Sequence, residues 1–167
     1  MLAKIAIADD KPFLARALAE KLSFFKEFSL KFSAVNGAEL MTCLEEDSNI
    51  DLILMDVEMP VLNGIEATAL VKQKFPQIKI IMLTVFDNDE HIFNAIKAGA
   101  DGYLLKETTP DVLEKAIKET LSGGAAMNPS IAMRTLKLLR NPDSMRNWKA
   151  REEISLSKRE IEVLEQL

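Results

Sequence analysis

Five times in its first 122 residues the chain repeats one pattern, a short apolar run followed by a helix-length segment carrying a single apolar stripe. That alternation predicts an α/β fold, a parallel sheet with helices on both faces, because parallel neighbours need a long crossover and a helix is the usual one. The predicted strands are Lys4–Ala8, Ser29–Ala34, Asp51–Met55, Ile78–Leu83 and Gly102–Leu104. Runs such as LILM and IIML are apolar throughout, as strands covered on both faces should be. Between them Leu14, Leu18 and Leu22 recur every four residues, as do Leu113, Ile117 and Leu121, so each set lines one helix face. Lys11-Pro12, Asn63-Gly64 and Thr109-Pro110 mark helix starts and loops.

The pattern stops at Ser122-Gly123-Gly124, and a domain boundary is placed there, after residues 1–122. Residues 123–155 read as a linker with one helix over about 129–140, opened by Asn128 as N-cap and Pro129 as first helical residue. Trp148 is the large apolar group of its polar second half and is expected to pack on a neighbouring surface. In residues 156–167, Ser157 and Glu160 form a capping-box signature ahead of Ile161, Val163, Leu164 and Leu167, so a new helix begins as the sequence stops.

Composition narrows the function classes. Residues 1–122 hold 13 Lys and Arg against 20 Asp and Glu, whereas residues 123–167 hold 8 against 6. An acidic body is unsuited to gripping a phosphate backbone, so any contact with DNA falls to another segment. No run approaches the roughly 18 apolar residues of a membrane span, and no signal-peptide core opens the chain, so the expected location is the cytoplasm, without membrane contact. The lone Cys43, beside Met41 and Leu44, is read as an inert buried thiol.

In open parallel sheets, functional groups gather at the carboxyl ends of strands. Here Asp9 and Asp10 follow the first predicted strand, Asp56 the third, Thr84 the fourth and Lys106 the fifth. Three carboxylates on one rim repel one another unless a cation sits among them, which predicts a hard divalent metal, Mg2+ being the best suited to a site that must also admit a phosphoryl group. An aspartate can accept that group as an acyl phosphate, and Asp56 is the chosen nucleophile. Asp10 and the backbone carbonyl of Glu58 are expected to hold the metal with Asp56, Asp9 assisting, while Lys106 and the Thr84 hydroxyl neutralise the phosphoryl oxygens. His91, with no histidine or cysteine companion, is read as a surface residue.

The segments IAIADDKPF, LILMDVEMPVLNGIEA, IIMLTVFDNDE and AGADGYLLKE resemble, in order, the motifs of receiver domains of bacterial two-component response regulators. The resemblance covers nearly all of residues 1–122, and the closing LSKREIEVLEQL resembles the first helix of a LuxR-type helix-turn-helix domain of the NarL and FixJ subfamily. It implies a flavodoxin-like, doubly wound, five-stranded sheet of order 2-1-3-4-5, and phosphotransfer from a sensor histidine kinase to Asp56. It further implies a switch in which Thr84 and Tyr103 rearrange, with Tyr103 turning inward, and a homodimer formed on phosphorylation. DNA would be bound only through the full C-terminal domain; the recognition helix is missing from the sequence as it stands, and of the two explanations, a piece of a longer chain or a naturally short protein, the first is favoured. The protein would be a phosphoacceptor that catalyses its own phosphotransfer and dephosphorylation, not a dedicated enzyme.

Two departures from the commonest receiver pattern stand out: Val85 replaces a frequent alanine beside the switch threonine, and Glu107 replaces a frequent proline after Lys106. The resemblance also implies that Glu58 and Phe86 occupy positions that influence the lifetime of the phosphorylated state. A haloacid-dehalogenase type phosphatase would want a second aspartate where Glu58 stands, and a nucleotide-binding domain a glycine-rich loop where ADDK stands. The remaining rival is a receiver that works through protein contacts without DNA.

Overall fold

The computed structural model describes residues 2–85 and 88–140; Phe86, Trp148 and the capping-box segment 156–167 lie outside the described residues. In chain order the elements are β1 (Ala3–Ala8), α1 (Pro12–Ser23), β2 (Phe28–Ala34), α2 (Gly37–Glu46), β3 (Leu52–Asp56) and α3 (Gly64–Lys74). They continue with β4 (Lys79–Thr84), α4 (Asp89–Ala98), β5 (Gly102–Leu105), α5 (Pro110–Leu121), β6 (Ala126–Met127) and α6 (Pro129–Arg140). All neighbouring strands run parallel, in the order β2-β1-β3-β4-β5-β6.

Local chemistry starts the helices where they are needed. Asn36, Asn63, Asn88 and Thr109 each turn a side-chain oxygen onto an N–H of the first turn of α2, α3, α4 and α5, satisfying donors that have no partner inside the helix. α1 has no such cap and relies on Pro12, whose missing N–H and fixed φ suit a first turn.

Strand alternation then sorts the core into two layers. Ile53, Met55, Ile80, Met82 and Tyr103 meet α2, α3, α4 and α6 on one face. Ile5, Ile7, Leu52, Leu54, Ile81, Leu83 and Leu104 meet α1 and α5 on the other. Two aspartates fasten the end of the sheet away from the carboxyl rim. Asp51 accepts the Lys4 N–H at 2.8 Å, and Asp101 accepts the Ile80 N–H at 2.9 Å while pairing with the Lys72 ammonium at 2.6 Å.

The sheet has six strands, one more than expected. After α5 the chain turns through Gly123, at φ 94°, and returns to lay Ala126 and Met127 beside Gly102 and Tyr103. Two residues have no periodicity to read, so this strand is invisible in the sequence. α6 then packs back on the body, burying Ile131 and Leu138 in the same layer as Ile92 of α4, with Arg134 3.6 Å from Asp89. Asn128 opens α6 as expected through its main chain, its carbonyl accepting the Ala132 N–H at 2.9 Å. Its side-chain oxygen does something else, accepting the Leu105 N–H of β5 at 2.7 Å.

The loop between β3 and α3 carries visible strain. Leu62 N–H donates to the Pro60 carbonyl at 2.8 Å, closing a three-residue γ-turn around Val61, whose φ is 69°. A β-branched side chain there is an outlier, and Val61 is 84% exposed, so no packing compensates. Val61→Asn, tolerated in this conformation, should stabilise the fold by about 1 kcal/mol. Urea unfolding checks this; a lower midpoint at unchanged slope would contradict it.

Candidate functional site

The same alternation that sorts the core builds the site. Continued one residue beyond β1 and β5, the rows Ile5-Ile7-Asp9, Leu52-Leu54-Asp56 and Leu104-Lys106 lie on one sheet face. Asp9, Asp56 and Lys106 therefore converge at the carboxyl rim, buried to within a few per cent. The Lys106 ammonium stands 2.8 Å from Asp9 Oδ2 and 3.1 Å from Asp56 Oδ1. Asp9 Oδ1 accepts the Lys11 N–H at 2.9 Å, which turns the chain into α1. Asp10 is more exposed, and carboxylate oxygens of Asp9, Asp10 and Asp56 all lie within 4.8 Å of one another.

Burial raises the Asp56 pKa to about 6 from an ordinary 3.8, and the nearby Asp9 charge pushes the same way, against the pull of the Lys106 and Lys11 ammoniums. Asp56 Oδ2 is buried and accepts no hydrogen bond; the Lys11 ammonium stands 3.8 Å from it. A carboxylate oxygen turned into an acidic pocket without a donor is what a metal ligand or an attacking oxygen requires. The site can hold a metal ion: three carboxylates in one cluster supply hard oxygen donors.

The space above Asp56 is a cleft of about 520 Å³ whose walls include Lys11, Glu58, Thr84, Val85, His91 and Lys106. Thr84, at the end of β4, continues the row Ile80-Met82 and so approaches from the opposite sheet face; its carbonyl accepts the Lys106 N–H at 2.8 Å. Glu58 joins the cleft, but its carboxylate faces outward, 78% exposed and 3.8 Å from His91 Nε2. Val85 stands half-exposed on the wall. The Lys106–Glu107 peptide is trans, like every peptide bond among the described residues.

Tyr103, the other expected switch residue, has its ring inward here: it is fully buried, paired with Met82 and Met127 in register and grouped with Ile92, Ile131 and Leu138. β6 and α6, which the sequence reading assigns to a linker, supply that cover. Two further residues, Lys11 and His91, line the cleft. Lys11 is more than a helix-start marker, since it bridges Asp10 at 3.2 Å and Asp56. Burial alone would lower its pKa, but the Asp10 hydrogen bond and three carboxylate charges hold it above the usual lysine value. His91 lies on the cleft wall, brought there by the first turn of α4. An Asp-Asp-Lys run was the available signal for Lys11; for His91 there was none.

Residues 5–118 match the family model for the response regulator receiver domain. The chain is 35% identical to the transcriptional regulatory protein LnrK of Bacillus subtilis over 98% of this chain and 76% of that protein. It is 31% identical to the response regulator protein VraR of Staphylococcus epidermidis, over 98% of this chain and 75% of that one. Among solved structures it resembles a LuxR-family two-component response regulator from Aurantimonas sp. SI85-9A1, at TM-score 0.78 and 27% identity, covering 84% of this chain and all of that one.

The raised Asp56 pKa has a consequence for stability. Unfolded, the carboxyl titrates near 3.9; folded, near 6, so between about pH 4 and 6 the folded state binds the extra proton and stability falls as pH rises. In metal-free buffer Asp56→Asn should melt higher than wild type at pH 8, with the difference shrinking toward pH 4. Thermal unfolding across that range measures it, and a difference that stays constant with pH would refute the assignment.

Proposed function

The chain belongs to the response-regulator receiver domain family and is the receiver of a LuxR-type transcriptional regulator, and from that premise we propose that Asp56 accepts a phosphoryl group from the phosphohistidine of a sensor kinase. The observation that carries the reading is Asp56 itself: one oxygen held by Lys106 at 3.1 Å, the other buried without a hydrogen-bond donor at the mouth of an acidic cluster. In the transfer an Asp56 carboxylate oxygen forms a bond to phosphorus, the phosphorus–nitrogen bond of the donor breaks, and the departing imidazole leaves with the bonding pair and takes up a proton. Lys106, already oriented by Asp9, neutralises charge on the phosphoryl oxygens, and the Thr84 hydroxyl donates to them. Water attack on the acyl phosphate, in the same arrangement, returns the resting carboxylate, so both steps are catalysed by the chain on itself.

Mg2+ fits the cluster: Asp9, Asp10, Asp56 and the Glu58 backbone carbonyl would hold it. Bound there, it supplies positive charge that offsets repulsion between carboxylates and phosphate.

Phosphorylation adds charge and strong acceptor oxygens beside Thr84, and Thr84 and Tyr103 are the proposed switch pair. Because Tyr103 is covered by α6, its rearrangement displaces packing between β5, α4 and α6 in place of a swing from solvent. The proposed organisation keeps a receiver at residues 1–122, a linker at 123–155 and, at 156–167, the first helix of a LuxR-type helix-turn-helix. A phosphorylated homodimer would present the full C-terminal domains to DNA. No helix among the described residues is long and apolar enough to cross a membrane. We place the protein in the cytoplasm, where a histidine kinase presents its phosphorylated domain.

Incubation with acetyl phosphate and Mg2+ should add one phosphoryl mass at Asp56, visible by mass spectrometry; Asp56→Asn should take none. Excess chelator should reduce labelling of wild type by at least on the order of tenfold. Labelling of the asparagine variant would move the acceptor elsewhere, and full labelling in chelator would remove the metal from the account.

A further inference from the structure

Lys106 is held from two sides. Its N–H donates to the Thr84 carbonyl at 2.8 Å, fixing where the residue leaves β5. The next three residues, Lys106, Glu107 and Thr108, belong to neither β5 nor α5, and no proline stiffens them. Within the loop, the Thr108 N–H and hydroxyl both turn back on the Leu105 carbonyl. Among the described residues the donor to the carbonyls of Lys106 and Thr108 is the Lys21 ammonium, in the last turn of α1, at 3.4 Å and 2.9 Å.

Lys21 is well made for this task. Its neighbours Leu18 and Leu22 are buried under the sheet, which fixes the helix face from which it projects and lets its stem lie along the core edge. Among the described residues no carboxylate lies within ion-pair range of its ammonium, so the backbone carbonyls are its anchors. The two residues it joins to α1 stand 85 and 87 positions further along the chain.

We propose that Lys21 is a positioning residue for phosphoryl transfer: by clamping the 106 and 108 carbonyls to α1 it holds the Lys106 ammonium between Asp9 and Asp56. This rests on the reading of Asp56 as acceptor and Lys106 as its charge partner. Lys21 touches neither the carboxylate nor the phosphoryl group. With the clamp removed, both carbonyls turn to water, the loop between β5 and α5 samples more conformations, and the ammonium spends less time at its working distances. Small misplacements of a charge partner are costly, up to about a hundredfold in rate.

The test compares the initial rate of Asp56 phosphorylation by acetyl phosphate, at saturating Mg2+, in wild type, Lys21→Met, Lys21→Gln, Lys21→Arg and Lys72→Met. Methionine keeps helix propensity and stem volume. Lys72 is the control for a general loss of stability, since it also donates to a loop carbonyl, that of Ile78 at 2.8 Å, and in addition pairs with Asp101 at 2.6 Å, at the opposite end of the sheet. The expected result is a rate lower on the order of tenfold in Lys21→Met. A smaller loss is expected in Lys21→Gln, near-wild-type labelling in Lys21→Arg, and no loss in Lys72→Met even where its melting temperature falls. Amide NMR should show shifts at Lys106 and Thr108 in the methionine variant and their return in the arginine variant. If wild type itself takes no label at Asp56, the acceptor reading fails. If wild type labels and Lys21→Met matches it, or if Lys72→Met loses as much rate as Lys21→Met, the clamp is overturned. Should Lys21→Met not fold, Lys21→Gln decides: labelling equal to wild type overturns the proposal.

Discussion

Two carboxylates drawn out of water at the edge of a sheet need a cation close by, and in this protein the Lys106 ammonium, 2.8 Å from one and 3.1 Å from the other, makes their burial tolerable. The arrangement requires β1, β3 and β5 to be in register, so that residues 9, 56 and 106 end on the same face, and it requires the loop after β5 to keep its shape. Compensation is incomplete. Asp56 still titrates near 6 because burial outweighs its cationic neighbours, and its second oxygen has no donor. The site thus stores an unmet demand for positive charge, which a divalent ion would satisfy.

The segment after α5 changes how a signal could leave that site. β6 extends the sheet beyond β5, and α6 lies on α4, so Tyr103 is enclosed by the chain's own continuation. The Asn128 side chain ties the start of α6 to the Leu105 N–H, next to Lys106. On the proposed route, a shift at Thr84 or Lys106 can reach α6 through the packed layer around Tyr103 and through this hydrogen bond. A packed layer of this kind rearranges between discrete states more readily than it deforms.

Much of this was written in the sequence. The five long strands fall within one residue of their expected bounds; in β1, β3 and β4 this is because an apolar run covered on both faces leaves a local signature. The rim residues Asp9, Asp10, Asp56, Thr84 and Lys106 were legible for a related reason: strand ends can be read locally, and the carboxyl ends of parallel strands share one edge. Asn63-Gly64 and Thr109-Pro110 could be read as helix starts in the same way, and Asn63 and Thr109 cap α3 and α5.

Tertiary structure alone decided the rest. A two-residue strand such as Ala126–Met127 has no period, and exists only because β5 offers an open edge to pair with. The Asn128 side chain could cap its own helix or reach β5, and the distance to Leu105 settled the choice. Tyr103 is buried because α6 folds over it, which no pattern around residue 103 could announce. Lys21 meets the 106 and 108 carbonyls because packing sets α1 beside α5 and the loop that leads into it. Local sequence determines where elements begin and which face they hide; which flexible side chains meet across 85 residues is set by how those elements pack.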